Sequence, residues 1–315
     1  MTFVHTLRQR WTDSGSLVCV GLDPEPAKFP ARFEGDADAV FAFCRDIADA
    51  TAEFACAFKP QIAHFAALGA EDALQRLIAH LHTAHPGVPV ILDAKRGDIG
   101  STAQRYVAEA FERFDADAVT VNPYLGRDSV QPFLDRGDKG VVILCRTSNP
   151  GAADLQDLPI AHAASTRPLY QHVAETIARD WNGHGNVSLV VGATWPEQLR
   201  EVRAIVGDMP FLVPGVGAQG GDAEAVVRNA KSADGTGLLV SSSRAGASRL
   251  STPNSPGMAP WPPPPWMVAS RSAPASKMRA CTAGSLLVAA ASTMRAASAL
   301  SKLVMSPLRE LVSAW

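Results

Sequence analysis

The stretch ILDAKRGDIGST, residues 91–102, runs from an apolar lead, Ile91 and Leu92, straight into Asp93, Lys95, Arg96 and Asp98. Such a run reads as a strand buried along its length that meets polar chemistry at its carboxyl end. Asp93 and Lys95 stand two residues apart, so on a strand both side chains leave the same face. A lysine flanked by carboxylates keeps its proton, because opposite charge nearby favours the charged form. That suits a proton donor and disfavours Schiff-base chemistry, which needs a neutral amine. Asp98, in the following loop, is placed to turn back toward the pair or toward a neighbouring subunit. One Asp–Lys pair alone is most simply a salt bridge, so its neighbours along the chain decide its meaning.

Seven more short apolar runs share this character: LVCVGLD (17–23), CAFKPQ (56–61), AVTVNPY (118–124), GVVILCRT (140–147), LVVGAT (189–194), FLVPGVG (211–217) and GLLVSSS (237–243). Segments of helical period lie between them. Val40, Phe41, Cys44, Ile47 and Ala48 share one helix face, as do Leu74, Leu77, Ile78 and Leu81. Ser101 with Gln104 has the spacing of a capping box opening the helix after the third strand. Eight strand–helix alternations predict an α/β fold, a parallel eight-stranded (β/α)8 TIM barrel, with a doubly wound open sheet as the alternative.

In such barrels the site lies at the carboxyl ends of the strands. Those ends carry Asp23, Lys59, Asp93 with Lys95, Asn122 with Tyr124, Thr147 with Ser148, Pro214 to Gly217, and Ser241 to Arg244. Ionisable groups gather at the first three ends, and four of them together outweigh the salt-bridge reading. PGVGAQGG (214–221) and SSSRAG (241–246) follow the last two strands, the usual phosphate position of these barrels. Their glycines let backbone N–H groups approach a phosphate, and Arg244 offers it a bidentate partner.

Composition narrows the function. The chain has 315 residues, 47% hydrophobic and 19% charged, with a formal net charge of −2. No basic stripe supplies a footprint for nucleic acid or an anionic membrane. No run reaches the roughly 18 uninterrupted apolar residues of a transmembrane helix, and MTFVHTLRQRW at the start has no signal-peptide pattern. The five cysteines, Cys19, Cys44, Cys56, Cys145 and Cys281, have no CxxC spacing and point to a reducing cytoplasm. The histidines, including His64, His80, His82 and His85, show no metal-ligand spacing, and no metal or cofactor is expected.

Residues 246–315 break the pattern. This tail holds one acidic residue, Glu310, and the proline run WPPPPW, and it is rich in Ser, Ala and Arg. The domain division is therefore a barrel over 1–245 and an atypical tail over 246–315, read as low complexity or as translation out of frame after Ala245. The barrel's eighth helix has no convincing sequence; residues 282–304 are its candidate.

In these residues the chain resembles the orotidine 5′-phosphate decarboxylase family, in its longer bacterial branch. DAKRGDIGST matches the family's Asp-x-Lys-Arg-x-Asp-Ile-x-x-Thr signature at every fixed position. GLDP (21–24), FKP (58–60), TSNPG (147–151), PGVGAQGG and SSSR (241–244) follow in the family's order, across about residues 5 to 245. The resemblance implies cofactor-free decarboxylation of orotidine monophosphate to UMP, the last step of de novo pyrimidine synthesis, in a cytoplasmic homodimer with shared active sites. It implies Lys95 as proton donor to C6 and Asp93 against the substrate carboxylate, with Lys59 and Asp98 completing the charge network. Asp98 and Thr102 would reach into the partner's site. Asp23 and Lys59 would hold ribose hydroxyls, Ser148 the pyrimidine, Pro214 its pocket, and Gln219 with Arg244 the phosphate. Two rivals are a magnesium-dependent sugar-phosphate decarboxylase or aldolase, and a catalytically impaired barrel remnant.

Overall fold

The computed structural model describes residues 2–162, 165–216 and 221–243. All eight expected strands form: β1 (Val18–Leu22), β2 (Ala55–Pro60), β3 (Ile91–Arg96), β4 (Ala118–Val121) and β5 (Gly140–Arg146), then, after a hairpin of β6 (Pro159–His162) and β7 (Ser165–Pro168), β8 (Val187–Val191), β9 (Phe211–Val213) and β10 (Leu238–Ser242). They pair in parallel in the order β2-β1-β10-β9-β8-β5-β4-β3. The ends of that list meet through bridges from Phe58 to Val90 and from Gln61 to Asp93, so the sheet curls into a nearly closed barrel. Every residue of β2, β4 and β8 is buried, as strands covered on both faces require.

Helices ring the barrel: α2 (Ala39–Thr51), α3 (Ile62–Ala66), α4 (Glu71–Ala84), α5 (Gly100–Ala108), α6 (Arg127–Leu134), α7 (Leu169–Thr176), α8 (Pro196–Val206) and α9 (Ala223–Ala230), preceded by α1 (Phe3–Ser14). Leu74, Leu77, Ile78 and Leu81 of α4 are buried as their spacing predicts. In α2 the buried set is Phe43, Cys44, Ile47 and Ala48, while Val40 and Phe41 stay half-exposed. The capping box at Ser101 does not form. Helix α5 begins at Gly100 after an extended Ile99, so Ser101 already lies inside the first turn.

Two elements escaped the sequence reading. The antiparallel β6–β7 hairpin interrupts the strand–helix alternation. Helix α1 closes the amino end of the barrel, its Phe3, Leu7 and Trp11 packing on the inward side chains Cys19, Ile91, Val142 and Leu212. These three residues recur at i, i+4 and i+8, a helical signal too short to stand out. Trp11 Nε1 donates to the Leu238 carbonyl at 2.9 Å, tying the plug to β10. Gly140 is required beside it, because a Cβ there would lie 2.3 Å from the Phe3 ring. No helix among the described residues is long and apolar enough to cross a membrane. The expected eighth helix, the 246–315 tail, Gln219 and Arg244 lie outside the described residues.

Candidate active site

At the carboxyl ends of the strands a cavity of about 450 Å³ is lined by Lys59, Asp93, Lys95, Thr120, Ser148 and Pro214, over a floor of Leu144, Val190 and Leu212. Its charged wall centres on Asp93, which is 7% exposed. One carboxylate oxygen, Oδ2, accepts from Lys59 Nζ at 2.9 Å, and the other, Oδ1, accepts from Lys95 Nζ at 2.7 Å. The two lysines differ in surroundings: Lys59 is 5% exposed, whereas the Lys95 side chain is 48% exposed and opens onto the cavity. Burial by itself would neutralise Asp93, yet the two ammonium groups win and hold its carboxyl well below the usual carboxylate range. Burial likewise works against the Lys59 charge, and the carboxylates of Asp93 and Asp23 raise it above an ordinary lysine.

Thr120 is the residue the sequence reading missed. Its Oγ1 accepts the N–H groups of Ala94 and Lys95, each at 2.9 Å, and so must point its own proton at Asp93 Oδ1, 3.0 Å away. It sits in β4 among Ala118, Val119 and Val121, and one hydroxyl in a buried apolar strand was the available signal. The same bonds shape the backbone. Pairing between β3 and β4 slips between Leu92 and Arg96, and Lys95 adopts φ 48°, a left-handed conformation costly for a side chain with a Cβ. Arg96 pins the far side of this bulge. Its carbonyl accepts the Asn122 N–H at 2.7 Å, and its guanidinium makes a bidentate pair with Glu109 at 2.8 and 2.9 Å. Glu109 opens a single wider π turn that extends α5 to Arg113. Lys95 is thereby aimed by contacts on three sides, a fixed placement that electrostatic catalysis needs.

Another wall is the loop after β5. Arg146 is 3% exposed and grips Asp157 through Nε at 2.8 Å and Nη2 at 2.9 Å, while Nη1 donates to the Thr147 carbonyl at 2.5 Å. The Thr147 N–H donates to Gln156 Oε1 at 2.8 Å. Together these bonds close the loop that carries Ser148 and Asn149 to the cavity. Gly192 lets that loop approach β8, since a Cβ there would lie 2.7 Å from the Ser148 backbone. Replacing Asp157 with Asn leaves a buried guanidinium without its counter-charge. Its KM is expected to rise about tenfold, the equivalent of ~1.4 kcal/mol of binding, and its Tm to fall by roughly 5 °C. Steady-state kinetics and thermal unfolding check both; unchanged values would remove the pair from the positioning of the loop.

The remaining expected residues are placed unequally. Asp23, after β1, has a buried Oδ1 without a hydrogen-bond partner among the described residues. Asp98 does not line the cavity; its Oδ1 accepts the Ile99 N–H at 2.8 Å, and among the described residues it forms no ion pair. Thr102 is exposed on α5. The four described cysteines are buried and free, and burial pushes the Cys19 and Cys145 thiols up to about 12, which keeps them unreactive.

A nearly closed parallel barrel with a Lys–Asp–Lys chain at its carboxyl face, its Asp93 and Lys59 buried, defines a barrel enzyme. Residues 16–245 match the model of the orotidine 5′-phosphate decarboxylase / HUMPS family, and the chain belongs to that family. It is 61% identical over 245 residues to the orotidine 5′-phosphate decarboxylase of Dechloromonas aromatica (strain RCB), and 60% identical over 245 residues to that of Azoarcus sp. (strain BH72). Each match covers 78% of this chain and 89% of the relative. Among solved structures it is similar to the Leishmania donovani OMP decarboxylase, with TM-score 0.67 and 42% identity, covering 79% of this chain and 91% of that one.

Proposed function

We infer that this chain is a carbon–carbon lyase that decarboxylates orotidine 5′-phosphate to UMP in pyrimidine biosynthesis. The observation that carries the reading is Asp93 held between two ammonium groups on the wall of a cavity large enough for a nucleotide. Loss of carbon dioxide leaves an electron pair on C6 of the pyrimidine. Lys95, charged and aimed into the cavity, stabilises that charge as it forms and then supplies the proton. Asp93 holds the Lys95 ammonium in place at 2.7 Å and sits beside the departing carboxylate. The buried, unpartnered oxygen of Asp23 supports its role as acceptor for a ribose hydroxyl, shared with Lys59. Ser148 addresses the pyrimidine edge and Pro214 its face. Gln219 and Arg244 hold the phosphate, whose remote binding energy can align the ring. No step requires a metal or cofactor.

The same reading makes the enzyme a homodimer. Asp98 and Thr102 lie outside their own cavity, and Ile99, Tyr124 and Leu125 beside them are exposed apolar surface. A second copy placed there would bury that surface and receive Asp98 and Thr102 into its site. The family match ending at residue 245 supports a barrel domain over 1–245. The free, buried cysteines fit a reducing compartment.

The test is the loss of orotidine monophosphate absorbance with the purified full chain, with and without a chelator. Turnover indifferent to the chelator is expected. Turnover that the chelator abolishes would favour the magnesium-dependent sugar-phosphate rival, and no turnover at all would favour the impaired remnant.

A further inference from the structure

The spacing of His80 and His85 in the chain gives no hint of a shared ligand, but the packing of α2 against α4 supplies one. Asp49 of α2 points its Oδ1 at both rings, 2.7 Å from His80 Nε2 and 2.7 Å from His85 Nε2. One ligand atom from each of the three residues lies within 4.8 Å of the others. On a continuous helix residues five apart diverge by about 140°. Helix α4 ends at Ala84, however, and His85 leaves it with φ −128° and ψ 58°, which swings its ring back toward His80. The ring centroids are 6.0 Å apart with planes at 84°. Phe41 packs edge-on against His80 at 6.4 Å, and Phe58 lies 6.2 Å from His85, so apolar rings flank the cluster.

We propose that Asp49, His80 and His85 form a site for a divalent transition-metal ion of the zinc class, clamping α2 to α4. Two imidazole nitrogens and one carboxylate oxygen are the borderline donors that such ions select over magnesium or calcium. Tetrahedral ligands at about 2.0–2.2 Å stand roughly 3.3–3.5 Å apart. The two N···O distances of 2.7 Å therefore open by well under an ångström, a shift that side-chain rotation supplies. The fourth position is left for water. Coordination through Nε2 requires each neutral imidazole to carry its proton on Nδ1, a change of tautomer with no net loss of a proton. None of the three residues lines the catalytic cavity, so the ion acts on stability and not on decarboxylation.

Thermal unfolding of the full chain, stripped with chelator and titrated with zinc chloride, tests the site. A saturable rise in Tm with one ion per chain by calorimetry is expected. Asp49→Asn, His80→Gln and His85→Gln are each expected to weaken zinc binding by about 100-fold or more, while His82→Gln leaves it unchanged. As a measurement independent of variant folding, cobalt(II) added to the unsubstituted chain is expected to give the intense visible absorption of a four-coordinate site, which zinc removes. Absence of a saturable rise, a rise that survives all three substitutions, or only the weak spectrum of six-coordinate cobalt would overturn the proposal.

Discussion

Lys95→Ala is expected to lower kcat by about 10⁴–10⁷-fold, the product of a lost electrostatic contact to the developing carbanion and a lost general acid. Both effects act at one atom, Nζ, which touches the transition state more than the bound substrate, so kcat falls further than KM changes. The fold is expected to survive. The Lys95 side chain is half-exposed, and Asp93 retains Lys59 and Thr120 as partners when Nζ is gone. Tm within a few degrees of the unsubstituted protein, measured beside the orotidine monophosphate assay, separates lost chemistry from lost structure. Near-normal turnover would end the mechanism.

Asp93→Asn is expected to remove both activity and stability. It leaves the Lys59 ammonium buried without its closest counter-charge, and breaking a buried pair from one side costs about 3–5 kcal/mol. For a barrel of this size that corresponds to a fall in Tm of roughly 10 °C. The sign of the pH dependence follows from the two shifts. Asp93 titrates below its unfolded value of about 3.9, so its contribution is complete above that pH and is lost as pH falls through the depressed folded value. Lys59 titrates above its unfolded value of about 10.4, so its contribution is complete below that pH and is lost as pH rises through the raised folded value. The stability gap between the two proteins is therefore widest from about pH 5 to 9 and narrows on acidification. Denaturant unfolding at neutral and acid pH measures it; a gap that widens toward acid would contradict the pairing.

What the amino-acid order determined by itself was local in origin. The eight buried apolar runs announced the strands, the 3.6-residue period announced α4, and the charges at the strand ends marked the face that carries chemistry. Asp93, Lys59, Lys95, Ser148 and Pro214 were legible because a barrel delivers the end of every strand to one place. Contacts between residues distant in sequence were not legible. Thr120 meets Asp93 across 27 positions, and the two lysines divide the carboxylate oxygens between them only after β2 and β3 adjoin. The bulge that turns Lys95 depends on β4, and the grip of Arg146 on Asp157 depends on how a long loop folds back. His80 and His85 showed no metal-ligand spacing in the chain, and only the packing of α2 brings Asp49 between them. Periodicity and residue type reveal which face of an element is buried and where its polar end lies. Which polar groups then meet is set by the register and packing of separate elements, and those emerge only when the sheet closes.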